Sequence, residues 1–303
     1  MRAPIHVRTN AKINLFLRVV GARPDGLHEI ETVFHCVGLA DELEVSANEE
    51  GGFSLEVVVD ARTGDHLPSP EENLVARAAE ALAWRARVRT EAAIRLVKRI
   101  PVGAGLAGGS GNAAGALHAL NELWGADLDA AALAEVGAGL GSDVPFCLAG
   151  GTVLAGGRGD ELTPLPPPAT LWFVLGMSLR PLPTRDVYRA FDELGSAATE
   201  EAARLVAALA RGDVAAIAAA LHNDLEAPAI ALRPGLAADK AALLDSGALG
   251  ACVAGSGPTL FGLVPDEGAG VMLARSVEDR FDRVEVVSSR ALCVERADLG
   301  RAG

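Results

Sequence analysis

Pro101-Val-Gly-Ala-Gly-Leu-Ala-Gly-Gly-Ser-Gly111 places five glycines within eleven residues. Before it, Ala93–Ile100 reads as a strand. After it, Asn112–Trp124 carries Ala113, Ala116, Leu117, Leu120 and Leu123 at helical spacing. Glycines let backbone N–H groups converge on an anion without interference from a Cβ. A helix starting near Asn112 adds the positive end of its dipole, so the stretch suits a phosphate. A merely flexible turn is the plainer alternative. Gly103–Gly108 also fits the GxGxxG pattern of dinucleotide folds, but those follow a fully buried parallel strand. Here the strand carries Arg95, Lys98 and Arg99, and Pro101 intervenes, which suits a half-solvated antiparallel strand. No Gly-Lys-Ser/Thr closes the loop, so it is not a Walker A loop.

Working outward, residues 1–60 read as strands. Ile13, Leu15, Leu17 and Val19 alternate with Asn14, Phe16 and Arg18, predicting a half-buried strand. Gly21–Gly26 is a turn, Ile30–Leu39, Glu42–Ser46 and Phe53–Val59 are further strands, and Ser69-Pro70-Glu71-Glu72 is a capping box ahead of a helix burying Leu74, Val75, Ala78, Ala79 and Leu82. A helix is expected over Ala130–Leu140 and a loop over Gly141–Phe146. The Pro-rich stretch Thr163–Pro168 marks a boundary between domains 1–163 and 164–303. Beyond it, Leu171–Leu175, Ala251–Ala254, Leu260–Val264 and Arg283–Ser288 read as strands. Asp186–Leu194, Thr199–Ala210, Asp213–Leu221, Pro234–Asp245 and Gly268–Asp279 read as helices. Without regular βαβ alternation, both halves are α+β.

Half of the 303 residues are hydrophobic but only 4% aromatic, so the core must be built from Ala, Leu and Val. A net charge of −13 argues against a nucleic-acid partner. Met1–Asn10 has no signal-peptide character and no apolar run approaches a bilayer span, so no membrane partner and a cytoplasmic location are expected. Cys36, Cys147, Cys252 and Cys293 form no CxxC pair and are expected as separate buried thiols. His6, His28, His35, His66, His118 and His222 show no zinc-ligand spacing.

Four blocks together resemble the GHMP kinases, which phosphorylate hydroxyls of small metabolites. These are Ala11-Lys-Ile-Asn-Leu-Phe-Leu17 continuing to Arg23-Pro-Asp-Gly-Leu-His28, the glycine stretch through Ala114, Leu140-Gly-Ser-Asp-Val-Pro-Phe146, and Gly255-Ser-Gly-Pro258. They run in family order from about residue 9 to 264. The resemblance implies an N-terminal domain like ribosomal protein S5 and a C-terminal ferredoxin-like α/β domain. It also implies ATP with Mg²⁺, whose protein ligands stay unidentified, and a monomer or homodimer. The branch it approaches most closely acts on a cytidine-diphosphate-linked methylerythritol.

Position by position, the resemblance makes Lys12 and Asp143 the catalytic pair. Phosphoryl transfer needs charge stabilisation and a place for the hydroxyl proton, tasks that suit an amine and a carboxylate. A solvated strand lysine and a loop-capping aspartate are the bland readings. Nucleotide contacts are expected from Pro101, Val102, Gly103, Ala104, Gly105, Leu106, Ala107, Gly108, Gly109, Ser110 and Gly111, with Asn73, Leu74 and Lys98 around the adenine. Gly111 replaces a serine common in the family, which would remove a hydroxyl contact. Asn14, Leu27, His28, Thr184, Tyr188, Gly255, Ser256 and Gly257 are expected on the acceptor side. There Leu27 stands for the family's stacking tyrosine, and Tyr188, the only tyrosine, is expected to stack on the pyrimidine with Leu27 over its other face. Each also has a structural reading: Asn14 as a strand residue, His28 in a surface turn, Tyr188 as helix packing, Asn73 at a helix start, Lys98 solvated on its strand, and Gly255–Gly257 as a hairpin turn. Kinases of homoserine, mevalonate or sugars, a catalytically silent nucleotide binder, and a dinucleotide oxidoreductase are the competing functions.

Overall fold

A long antiparallel hairpin, β1 (Ile5–Ala22) with β2 (His28–Ser46), is the spine of the computed structural model, which describes residues 3–60, 62–63, 67, 69, 72–195 and 201–297. β1 is not half-buried as the alternation predicts; from Thr9 to Leu17 both its faces are covered. Ala11, Ile13 and Leu15 enter one core, whereas Lys12 and Asn14 face the other side, opposite Cys36 and Phe34 of β2. β2 is one strand where two were expected. Of the two residues between them, Ala40 and Asp41, the second stays in the sheet because its carboxylate accepts the backbone N–H of Arg99 and Ile100 and pairs with Lys98.

β3 (Phe53–Val59), α1 (Leu74–Ala86) and β4 (Ala92–Lys98) follow. β4 runs antiparallel to β2 and parallel to β3, with alternating burial that leaves Arg95 exposed but puts Lys98 on the buried face. Ser69 and Glu72 make the reciprocal bonds of a capping box, but in a turn ahead of the helix; Pro70 and Glu71 lie outside the described residues. The N-cap of α1 is Asn73, whose side chain accepts from the Val75 N–H at 3.0 Å. α2 (Gly108–Trp124) starts four residues earlier than expected and takes the end of the glycine stretch into its first turn. After α3 (Ala130–Ala138), the predicted loop gives way at Val144 to α4 (Val144–Ala149). β5 (Thr152–Gly156) and β6 (Glu161–Pro164), unforeseen in the sequence, form a hairpin on the N-terminal half of β2. β6 runs into the expected boundary stretch.

β7 (Trp172–Met177), α5 (Thr184–Leu194), α6 (Ala202–Arg211), α7 (Val214–Ala219), β8 (His222–Asn223), α8 (Glu226–Leu232), α9 (Gly235–Asp245), β9 (Gly250–Val253), β10 (Leu260–Val264), α10 (Glu267–Val277), β11 (Arg283–Ser288) and β12 (Val294–Arg296) complete the chain. Thr199 and Glu200, expected at the start of α6, lie outside the described residues. The second sheet, ordered β11-β7-β10-β9, is antiparallel throughout. The architecture is the α+β one expected. Two short C-terminal strands nonetheless join the first sheet: β8 and β12 both pair with the outer edge of β1.

Two expectations about polar groups need correction. Cys36 and Cys293 are not separate thiols; the fold brings their Cα atoms to 5.8 Å and they form a disulfide, while Cys147 and Cys252 stay free and buried. Sequence spacing hides the pair because β12 reaches the sheet only in three dimensions. Lys98 is not solvated but 4% exposed, paired with fully buried Asp41. His35 is also buried, between the Thr152 and Ser289 hydroxyls, and desolvation lowers it to about 4. No helix among the described residues is long and apolar enough to cross a membrane.

Candidate active site

Lys12 is held at both ends. Its backbone N–H donates to Leu106 O at 3.1 Å, joining β1 to the glycine stretch. Its ammonium donates to Asn14 Oδ1 at 2.8 Å, lies 5.2 Å from the Phe34 ring centroid and stands 3.6 Å from Asp143 Oδ2. Asp143 occupies the N-cap position of α4, yet its side chain makes no capping bond. The loop-capping reading therefore fails, and so does a solvated Lys12, whose side chain is 6% exposed. A buried ammonium requires a partner. Asp143, at 29% exposure, supplies one and stays open to the cleft.

Asn14 donates in turn to Thr32 Oγ1 at 2.8 Å, and Thr32 donates to Phe16 O at 2.6 Å. This chain fixes Asn14 and, through it, the ammonium. Thr32 and Phe34 were not foreseen; only their place opposite β1 reveals them.

The glycine stretch wraps the same spot. Gly105 has φ +79°, and a Cβ there would lie 2.1 Å from Ala254 O, so the loop touches the Gly255–Gly257 turn as only glycine allows. Ala107 takes the left-handed conformation, and no side chain caps the first turn of α2. The N–H groups of Gly108, Gly109 and Ser110 thus start a helix with open donors. A side chain at Gly111 would point to Asn10 O (3.6 Å) and Thr9, away from the cleft, so the missing serine costs no cleft contact. The Gly255–Gly257 turn is more than a hairpin turn. Asn223 donates to Val253 O (2.8 Å) and Gly255 O (2.7 Å), and the Thr184 and Ser256 hydroxyls bond at 2.9 Å.

A cleft of about 480 Å³ joins these parts. Lys12, Asn14, Asp143, Thr184, Tyr188, Gly255 and Ser256 line it, with residues 101–110 of the glycine stretch. Val57, Leu74 and Leu96 give an apolar wall beside Asn73 and Lys98. Asn73 is the N-cap of α1, as its helix-start reading expects, whereas Lys98 is neither solvated nor free but the ion-pair partner of Asp41. Leu27, His28, Gly111 and Gly257 do not line the cleft. Leu27, expected to cover the second face of the pyrimidine, is 46% exposed and outside the cleft lining. The His28 ring stacks on Tyr188 at 4.7 Å between centroids and bonds Asp192 at 2.8 Å. Burial and the Asp143 charge push the Tyr188 phenol up, so it stays neutral. Arg158, also in the lining, was missed by the sequence reading. Its signal was a cation between two glycines, Gly157-Arg158-Gly159.

Among the described residues, no three His, Cys, Asp or Glu side chains cluster as metal ligands. The cleft does present the Ser110 hydroxyl and the Asp143 carboxylate, and a Mg²⁺ carried chiefly by phosphates and water needs only one or two such protein oxygens.

Comparison with known proteins adds the family. The N-terminal domain of the GHMP kinases matches residues 73–151 and the C-terminal domain residues 205–283. A 4-diphosphocytidyl-2-C-methyl-D-erythritol kinase of Pelotomaculum thermopropionicum is 47% identical over 275 residues, 91% of this chain and 93% of its own. That of Shouchella clausii is 44% identical over 261 residues, 86% of each. A crystal structure of a 4-(cytidine 5'-diphospho)-2C-methyl-D-erythritol kinase, 32% identical, matches with a TM-score of 0.78 over 94% of this chain and 99% of that one.

Proposed function

This chain belongs to the GHMP kinases, and we propose that it transfers the γ-phosphate of ATP to the 2-hydroxyl of 4-diphosphocytidyl-2-C-methyl-D-erythritol, a step in isoprenoid precursor synthesis. The observation that carries this reading is the Lys12–Asp143 pair, 3.6 Å apart, on a strand tied by backbone to the glycine stretch. The open donors of the first turn of α2 hold the triphosphate. Asp143 accepts the hydroxyl proton as the acceptor oxygen bonds to the γ-phosphorus and the bond to the bridging oxygen of ADP breaks. Lys12 draws charge from the transferring phosphoryl group. When bound, Mg²⁺ would supply charge neutralisation on the triphosphate, and the Ser110 hydroxyl and Asp143 carboxylate in the cleft would hold it. Tyr188 offers the cytosine its face not covered by His28.

The test is ADP release with ATP, Mg²⁺ and this acceptor, beside homoserine and mevalonate. Turnover with the cytidine compound alone supports the reading. A preference for another acceptor rejects it.

A further inference from the structure

Three cations line the cleft among the described residues: Lys12, Lys98 and Arg158. Lys98 is spent on Asp41 and Lys12 on Asn14 and Asp143. Arg158 is different. Asp160 takes its Nε at 3.1 Å and one hydrogen of Nη2 at 2.7 Å, and the Arg158 backbone N–H bonds the other Asp160 oxygen at 3.1 Å. An arginine carries five N–H donors in a planar fork. The three that remain, both on Nη1 and one on Nη2, have no hydrogen-bond partner among the described residues. The side chain is a third exposed, and the Asp160 contact fixes its orientation. Burial alone would raise the Asp160 carboxyl, but the Arg158 hydrogen bonds outweigh it and hold it below its usual value.

The turn that carries Arg158 is seated on the acceptor side. Gly157 O accepts the Ile30 N–H at 2.9 Å, and Gly159 lies against the Phe34 ring, the same ring that underlies the Lys12 ammonium. β5 pairs with β2 over residues 32–35, whereas β4, which leads to the glycine stretch, pairs with residues 42–46. Arg158 and the wall formed by Leu74 and Leu96 therefore border opposite ends of the cleft.

We propose that Arg158 is the receptor for the diphosphate of the acceptor, its free Nη1 edge gripping the bridge between nucleoside and polyol. This rests on the functional reading above. It answers a problem the composition poses, since a chain of net charge −13 must take in a second polyanion after ATP. The glycine stretch and α2 are occupied by the triphosphate, and an arginine held by one carboxylate presents its remaining donors at little entropic cost.

The experiment compares wild type, Arg158→Gln and Arg158→Lys in two assays. In the first, KM for the cytidine-diphosphate-linked acceptor is expected to rise about tenfold or more in Arg158→Gln, with partial recovery in Arg158→Lys. KM for ATP should stay within about twofold and kcat within a few-fold. In the second, the nucleotide site is filled with a non-hydrolysable ATP analogue, and cytidine diphosphate and cytidine are titrated by calorimetry. Wild type should prefer the diphosphate by about tenfold, and Arg158→Gln should lose that preference. An unchanged preference in a folded Arg158→Gln variant, or a loss confined to KM for ATP, overturns the proposal. Absence of turnover by wild type sinks the functional reading, while the calorimetric preference still decides for or against Arg158.

Discussion

Lys12 Nζ and Asp143 Oδ2 lie 3.6 Å apart across a cleft, one on the central strand, the other ahead of a short helix, and both escape the structural tasks their sequence contexts offered. Asp143→Asn keeps the shape but cannot take a proton. Its kcat is expected to fall by about three orders of magnitude or more, with a lower melting temperature as well, because the buried Lys12 ammonium keeps only Asn14 as a partner. Lys12→Ala should lose as much and destabilise as well, because it leaves Asn14 and Asp143 without their cation. ADP-coupled rates and melting curves check both; a near wild-type rate for Asp143→Asn removes it from the chemistry.

Gly105→Ala puts a methyl group 2.1 Å from the Ala254 carbonyl at a positive φ. The left-handed strain alone costs roughly 1–2 kcal/mol, and the backbone contact forces the two loops apart. A lower melting temperature and a KM for ATP raised at least tenfold are expected. The control is Gly26→Ala, also at positive φ but with open space around its Cβ; it should lose stability without losing ATP affinity.

His35 makes stability depend on pH. Folding lowers it from 6.5 to about 4, because its buried site excludes the charged form. Between those values the unfolded chain binds more protons, so stability rises with pH. The contribution is complete above 6.5 and is lost as pH falls towards 4, on the order of 3 kcal/mol in all. Urea unfolding at pH 7 and pH 4.5 should show a steeper loss for wild type than for His35→Gln. Equal slopes would refute the assignment.

The Cys36–Cys293 bond makes a count possible. Of four cysteines, two should react with a thiol reagent in denaturant without reductant, and four after reduction. The bond closes nearly the whole chain, so its reduction is expected to lower the unfolding free energy by several kcal/mol. Four reactive thiols at the outset would show the pair reduced.

Tyr188→Ala should raise KM for the acceptor two- to tenfold, the range of one aromatic stack, while Tyr188→Phe stays near wild type. Equal KM values for Ala and wild type would mean that the base binds elsewhere.

The parts of the site legible in the sequence are those where residue type and chemistry coincide. A run of glycines next to a helix can do little but admit a close backbone approach, and Lys12, Asp143 and the glycine stretch do converge. What sequence hides is pairing across distance. Lys98 reads as solvated on its strand until Asp41 is placed against it, and Cys293 looks solitary until β12 brings it to Cys36. β8 and β12 are too short for any periodicity to announce them, and α4 lay concealed because Asp143-Val-Pro reads as a turn. Leu27 shows the limit of matching position to position: the residue is in place, but its side chain turns to solvent and His28 takes the aromatic contact.

One feature of β1 bears on how the polypeptide matures. Its inner edge is met by β2 almost at once, but its outer edge waits for β8 and β12, made from residues 222–223 and 294–296. A ribosome therefore holds a long apolar hairpin with unsatisfied amides on one side through most of translation. The amine-bearing strand is sealed only once residues 294–296 have been made, so stalled or prematurely ended products should be captured by chaperones or cross-paired with one another.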